Sequence, residues 1–218
     1  MNRNFIFTDD TQIPVGTMYC IGRNYSAHAK EMGVELPESA LVFIKPPTAF
    51  VPNQTAINIP SISKNMHHEV EMVVIIGKDC SHVTAGDALD YVAGYAVGID
   101  LTLRDVQAIA KQRGEPWAIA KGFSGSAPIS TAVPAKDITN PNDLSIELKV
   151  NGEIRQKGST SMMERTVEQL IEYVASIFTL REGDCIFTGT PEGVGRLESG
   201  DMVTAELQGV PILEISIV

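Results

Sequence analysis

The stretch HHEVEMVVIIG, His67 to Gly77, limits what this chain can fold into more than any other. In a strand the side chains alternate between faces, so Glu69, Glu71, Val73 and Ile75 share one side. His68, Val70, Met72 and Val74 share the other. Beyond Glu71 both faces are apolar, and the next charge is Lys78. The pattern predicts a strand covered on both sides and headed by two like charges. Two carboxylates removed from water repel each other and lose hydration, which costs several kcal/mol per ion unless something positive neutralises them.

A third acid, Asp100, closes the next apolar run, YVAGYAVGID. If the two runs are neighbours, three carboxylates converge at their ends. Such an all-oxygen donor set favours a hard cation, Mg2+ or Mn2+, whereas Zn2+ more often recruits His or Cys. The adjacent His67 and His68 leave zinc open at this point. The plain alternative is a frayed, solvated strand end, with Asp100 capping the helix that follows. For an isolated Glu-x-Glu that alternative would win; the third acid tilts the balance towards a metal.

Other apolar runs have strand length: 41–45, 144–150, 184–189, 202–207 and 211–218. Asn151-Gly152, between alternating segments, is a strong hairpin signal, and Gln208-Gly209 marks a second. Helices are fewer. Thr102 with Asp105 resembles a capping box opening TLRDVQAIAKQR, which Gly114 stops. Thr166 with Gln169 caps VEQLIEYVASIF, where Leu170, Val174 and Ile177 form an apolar stripe. A weaker helix is expected over 84–89, and one helical turn over 27–32. Strands and helices do not alternate as a doubly wound fold requires, so the class is α+β, mainly β, with antiparallel or mixed sheet.

The 218 residues carry a formal charge of −10 without a basic run, which argues against nucleic acid and anionic membrane surfaces as partners. Cys20, Cys80 and Cys185 lie far apart in no metal-binding spacing, and buried reduced thiols are expected. The N-terminal stretch lacks an apolar segment of signal-peptide length, so a cytoplasmic protein is expected.

HHEVEMVVIIG, AGYAVGIDLTLRDVQ, PWAIAKGFSGSAPIS and FTGTPEGVG, in that order and spacing, resemble the fumarylacetoacetate hydrolase family. They are most similar to its short single-domain branch, the acylpyruvate hydrolases that also act on oxaloacetate. The resemblance runs from about Met18 to the C-terminus. It implies a mixed β-sandwich roll with short helices and one catalytic domain over 1–218. Residues 1–17 would be an N-terminal extension and 22–39 a mobile lid. It also implies a homodimer with one Mg2+ or Mn2+ per subunit.

By that resemblance Glu69, Glu71 and Asp100 are the metal ligands, and Lys121 in WAIAKGF is the active-site lysine. A surface lysine is the plainer reading, but Lys121 is the one charge between Pro116 and Ile129. His28 and Glu31 match a His–Glu pair carried on the lid, and their spacing of three puts both on one side of a helical turn. Without the family they would read as two polar residues on a solvated face. Tyr25 and Met32 are candidates for packing the lid down. Arg104 and Gln107, three apart just after Asp100, are candidate contacts to a substrate carboxylate, as is Thr190 in the glycine-rich FTGTPEGVG. Ser124 departs from the acidic or threonine residue that the family often places after the Phe of its lysine motif.

The activity implied is hydrolysis of the C–C bond of acylpyruvates, 2,4-dioxo acids, to pyruvate and a carboxylic acid. Decarboxylation or keto–enol tautomerisation of oxaloacetate would use the same residues. A protein that binds a small 2-oxo acid without turning it over is the remaining alternative.

Overall fold

The computed structural model describes residues 3–33 and 38–218, so residues 34–37 of the expected lid lie outside the described residues. Its centre is a six-stranded sheet in the order Val133–Pro134, Val92–Ile99, Val70–Ile76, Cys185–Phe187, Met18–Gly22, Leu41–Lys45. Neighbours are antiparallel except Cys185–Phe187 beside Met18–Gly22. A five-stranded sheet runs Glu153–Ser159, Ser145–Val150, Met202–Leu207, Leu213–Ile217, Thr55–Ile57. The α+β, mainly β expectation holds.

Alternation along Val70–Ile76 places its two sets of side chains in two different cores. Val70, Met72, Val74 and Ile76 pack with Ile146, Leu148 and Val203 of the five-stranded sheet and with Leu170 and Val174 of helix Val167–Ile177. Val73 and Ile75 pack on the opposite side with Phe5, Phe7, Ile13 and Phe50. Phe5 and Ile13 face each other in a hairpin, Asn4–Ile6 with Gln12–Pro14. All seven residues of Val70–Ile76 are buried. Each large apolar one contributes roughly 1.5–3 kcal/mol by leaving water, and together they hold Glu71 in a place a lone carboxylate would not choose.

Several local expectations meet a different outcome. Glu69 does not extend the strand of Glu71: the chain breaks there, and Met66–His68 joins a small sheet with Thr102–Leu103 and Gly195–Arg196. The Thr102–Asp105 capping box does not form, because Thr102 is taken into that sheet and the helix starts at Arg104. Asp105 instead accepts from Ser63 Oγ at 2.6 Å and from the Lys64 N–H at 2.8 Å. Residues 84–89 form turns running into a 3-10 segment, Ala88–Tyr91, rather than a helix. Ile177 is exposed, and Val167, Leu170, Ile171 and Val174 form the buried stripe. The Thr166–Gln169 capping box and the Asn151-Gly152 hairpin are both present, the latter with positive φ at both turn residues.

Candidate active site

The register of the central sheet brings the three acids together. Val70 pairs with Ile99, so Glu69 and Asp100 lie side by side just past the pairing, and the Asp100 N–H donates to the Glu69 carbonyl at 2.8 Å. One ligand oxygen from each of Glu69, Glu71 and Asp100 lies within 4.8 Å of the others, and all three residues are buried.

Three cations surround them. Lys121 Nζ lies 2.7 Å from Glu69 Oε2 and 2.6 Å from Asp100 Oδ2. Lys45 Nζ reaches Asp100 Oδ1 at 2.8 Å, and Arg104 pairs with Glu69 Oε1. Burial opposes the charged form of Glu69, but Arg104 and Lys121 outweigh it and hold the carboxyl well below its usual range. Burial likewise works against the Lys121 ammonium, yet Asp100 and Glu69 hold it above its usual value. Glu71 is the exception. Its one hydrogen bond among the described residues is from the neutral Gly189 N–H, at 2.6 Å. Burial, then the charges of Asp100 and Glu69, push its carboxyl well up.

This is the test of whether the residues fit a divalent ion, and they do. Among the described residues Glu71 is a buried carboxylate with no ion pair, facing two other carboxylates across the distance one small ion spans. The donor set is all oxygen, the chemistry of Mg2+ and Mn2+ rather than zinc. His67 and His68, which left zinc open in the sequence, turn elsewhere: His68 Nδ1 faces Gln156 at 2.8 Å and His67 Nε2 faces Asn65 at 3.0 Å.

The loop carrying Thr190 is set by Gly189. Its φ of +96° is left-handed, and a Cβ there would lie 2.9 Å from the Asn24 Cβ and 3.2 Å from the Ile21 carbonyl. Only glycine lets the chain turn so tightly that its N–H meets Glu71 while Thr190 faces the cavity.

That cavity, of about 50 Å³, is lined by eight of the nine residues singled out in the sequence, and the ninth, Glu31, stands behind His28. Glu69, Glu71, Asp100 and Lys121 are joined there by Arg104, Gln107, Thr190, His28 and, through His28, Glu31. His28 Nδ1 is 3.0 Å from Glu31 Oε2 on the short helix Ser26–Glu31. Both Glu31 oxygens also lie within 3.1–3.2 Å of the Gly193 N–H, which ties this helix to the Thr190 loop. Arg104 does not point out as a free carboxylate clamp. Its guanidinium pairs with Glu69 and donates to Gln107 Oε1 at 3.0 Å, which leaves the Gln107 amide hydrogens for the cavity. An adjoining groove of about 390 Å³ shares Met32, Arg104, Gln107 and Lys111 with the cavity.

Sequence reasoning missed Lys45, Phe43 and Trp117. Lys45 is fully buried and donates to the Leu101 and Ser126 carbonyls at 3.3 and 3.0 Å and to the carbonyl of Lys121. Phe43 lies under the Lys121 ammonium, 4.8 Å away. A lone lysine ending the apolar run LVFIK was the available signal.

Comparison with known proteins agrees with this geometry. The model of the fumarylacetoacetate (FAA) hydrolase C-terminal family matches residues 17–218. A mitochondrial oxaloacetate tautomerase of Bos taurus is 46% identical over 88% of this chain and 86% of its own length. The Arabidopsis thaliana protein of the same name is 44% identical over 91% of this chain and 89% of its own. The crystal structure of fumarylpyruvate hydrolase from Pseudomonas aeruginosa, in complex with Mn2+ and pyruvate, superposes with a TM-score of 0.96. It is 38% identical and covers 100% of this chain and 96% of its own.

Proposed function

This chain belongs to the fumarylacetoacetate hydrolase family, and on that premise we propose that it hydrolyses acylpyruvates, 2,4-dioxo acids, to pyruvate and a carboxylic acid. The observation that carries the proposal is the convergence of Glu69, Glu71 and Asp100 in one cavity with Lys121 and the His28–Glu31 pair.

Glu69, Glu71 and Asp100 would hold Mg2+ or Mn2+, which when bound supplies Lewis acidity to a chelated 2-oxo acid. Charge favours that ligand. The three acids pair with Lys45, Lys121 and Arg104, and Arg23 and Lys111 also line the cavity, so a doubly charged cation would add to an excess of positive charge that favours a doubly negative ligand. Pyruvate enolate, with its carboxylate and its enolate oxygen, is such a ligand.

His28, held by Glu31 through Nδ1, presents Nε2 as the base. It takes a proton from water, which adds to the distal carbonyl carbon; the bond between that carbon and the adjacent methylene carbon then breaks, leaving a carboxylic acid and pyruvate enolate, whose methylene carbon takes the proton back from His28 to give pyruvate. Lys121, kept charged by Asp100 and Glu69, is a fixed positive charge beside the oxygen that gains electron density. Gln107 and Thr190 would orient the substrate, and residues 22–39 would act as the lid, tied through Glu31 to Gly193. The acyl portion fits the groove that continues past Met32 and Lys111.

A second reading is favoured by a specific finding, the oxaloacetate tautomerase name of the Bos taurus and Arabidopsis relatives. Oxaloacetate would use the same groups, with His28 moving a proton at C3 and no water consumed; loss of CO2 instead would make the reaction a decarboxylation.

A homodimer belongs to the same proposal. The outer edge of the central sheet, Leu41–Lys45, carries an exposed Ile44 beside an apolar groove with Trp117 and Phe178, a surface suited to a second copy. Among the described residues no helix is long and apolar enough to cross a membrane. Cys20, Cys80 and Cys185 are free and buried, which fits the reducing cytoplasm.

Assaying acetylpyruvate and the keto and enol forms of oxaloacetate side by side, with Mn2+, tests the proposal. Hydrolysis of acetylpyruvate to pyruvate and acetate is expected to dominate. Faster interconversion of the oxaloacetate forms would favour the second reading, and binding without turnover of any of them would leave a 2-oxo acid binding protein.

A further inference from the structure

The cavity wall at Thr190 is set from behind by a residue that no step above uses. Gln156 lies on Glu153–Ser159, the edge strand of the five-stranded sheet, and is 1% exposed. Its amide has only one orientation that satisfies its neighbours. Oε1 lies 3.0 Å from the Val70 N–H, which can only donate. Nε2 lies 2.9 Å from the Pro191 carbonyl, which can only accept. Two backbone groups at opposite ends therefore decide which end is oxygen. His68 Nδ1, 2.8 Å from the same Oε1, must then carry a hydrogen. The second hydrogen on Nε2 goes to Thr190 Oγ1 at 2.8 Å.

A hydroxyl oxygen that accepts from an N–H keeps its own hydrogen for another acceptor. Thr190 is 4% exposed and lines the cavity beside Arg104, Gln107 and Lys121. Gln156 does not line the cavity itself. We infer that Gln156 is a positioning residue that commits the Thr190 hydroxyl as a hydrogen-bond donor into the cavity. This wall therefore offers a hydrogen to an oxygen that accepts, a carboxylate or keto oxygen. The inference names what the substrate presents at one wall, and it rests on the 2-oxo acid reading above.

The test is a double-mutant cycle on binding rather than turnover. The probe is pyruvate in saturating Mn2+, followed by the fluorescence of Trp117, the sole tryptophan, which lines the cavity. Gln156→Glu keeps an oxygen for Val70 and His68 but turns a second oxygen towards Thr190, drawing the hydroxyl hydrogen out of the cavity. Pyruvate affinity should fall about tenfold or more, the usual loss for a hydrogen bond to a charged group. Thr190→Val should give a similar loss and Thr190→Ser very little. In the Thr190→Val background, Gln156→Glu should change affinity by less than about twofold, because its effect passes through that hydroxyl.

Gln156→Met, of similar length and without a polar atom, guards against the burden of burying a carboxylate. It should weaken pyruvate in the parent protein and be silent beside Thr190→Val. Calorimetric titration with Mn2+ alone separates the two levels of the argument. If the parent protein binds no Mn2+, the reading of the site fails and the inference with it. If Mn2+ binds throughout but Gln156 variants lose equal affinity with and without the Thr190 hydroxyl, or lose none, the positioning role alone is overturned.

Discussion

Lys45→Met removes a cation that is fully buried and saturated with acceptors. Its ammonium reaches Asp100 Oδ1 at 2.8 Å, the Ser126 carbonyl at 3.0 Å, the Leu101 carbonyl at 3.3 Å and the Lys121 carbonyl. Met fills a similar volume without charge. Asp100 then keeps Lys121 on Oδ2, while its Oδ1 has lost its counter-ion in a place with no solvent access. Removing one partner of a buried pair costs about 3–5 kcal/mol, because the survivor is left uncompensated. At about 2–4 °C per kcal/mol for a chain of this size, the melting temperature should fall by roughly 6–20 °C. Thermal and urea unfolding followed by circular dichroism would measure it for Lys45→Met, Asp100→Asn and the double variant. If stranded charge is the cause, the double variant is more stable than Lys45→Met alone, despite its extra substitution. A loss below about 1 kcal/mol, the size of an ordinary substitution, refutes the reasoning. So does a double variant whose loss is the sum of the singles.

His28→Ala should lower kcat on acetylpyruvate by about 10²–10⁴-fold, the range of a general base, and leave Mn2+ binding in place; an unchanged kcat removes His28 from the mechanism. Pyruvate with Mn2+ should alter Trp117 fluorescence, and pyruvate without the ion should not; equal changes in both conditions would detach the ligand from the metal. Glu71 gives a pH dependence whose sign is fixed. Its folded pKa is raised, so the folded chain binds more protons than the unfolded one, and the contribution of Glu71 to stability falls as pH rises from about 4.5 towards the raised value. An ion that needs the charged carboxylate binds more tightly as pH rises through the same window and releases protons. Calorimetry in buffers of different ionisation enthalpy counts them, and an affinity independent of pH contradicts this account.

What was legible in the sequence was what depends on local pattern. Two-residue periodicity and an unbroken apolar run made Val70–Ile76 a strand buried on both faces, and the acids at its head stood out because nothing local could justify them. Thr166 with Gln169 and Asn151 with Gly152 act through bonds within a few residues, and both features formed. Thr102 with Asp105 obeyed the same local rule and failed because Met66–His68, more than thirty residues earlier, offered Thr102 a strand partner. Nothing near residue 102 records that competition. Lys45 was missed for a related reason: its partners, Asp100, Leu101, Lys121 and Ser126, lie far along the chain, and a lysine after an apolar run otherwise looks like a strand end. The Gln156 amide was equally silent, since its role comes from Val70, Pro191 and Thr190 meeting across two sheets. The pairing of Arg104 with Glu69 was not foreseen, although Arg104 does line the cavity as the sequence suggested.

The claim on which the chemistry depends is that Glu69, Glu71 and Asp100 grip one divalent cation. Titration calorimetry with Mn2+ on the parent chain and on Glu71→Ala, joined to anomalous diffraction from crystals soaked in Mn2+, measures it. The account predicts one ion per chain, in contact with carboxylate oxygens of all three residues, and no binding after Glu71→Ala. An anomalous peak elsewhere, or a Glu71→Ala chain that still takes up Mn2+ with the parent affinity, contradicts it.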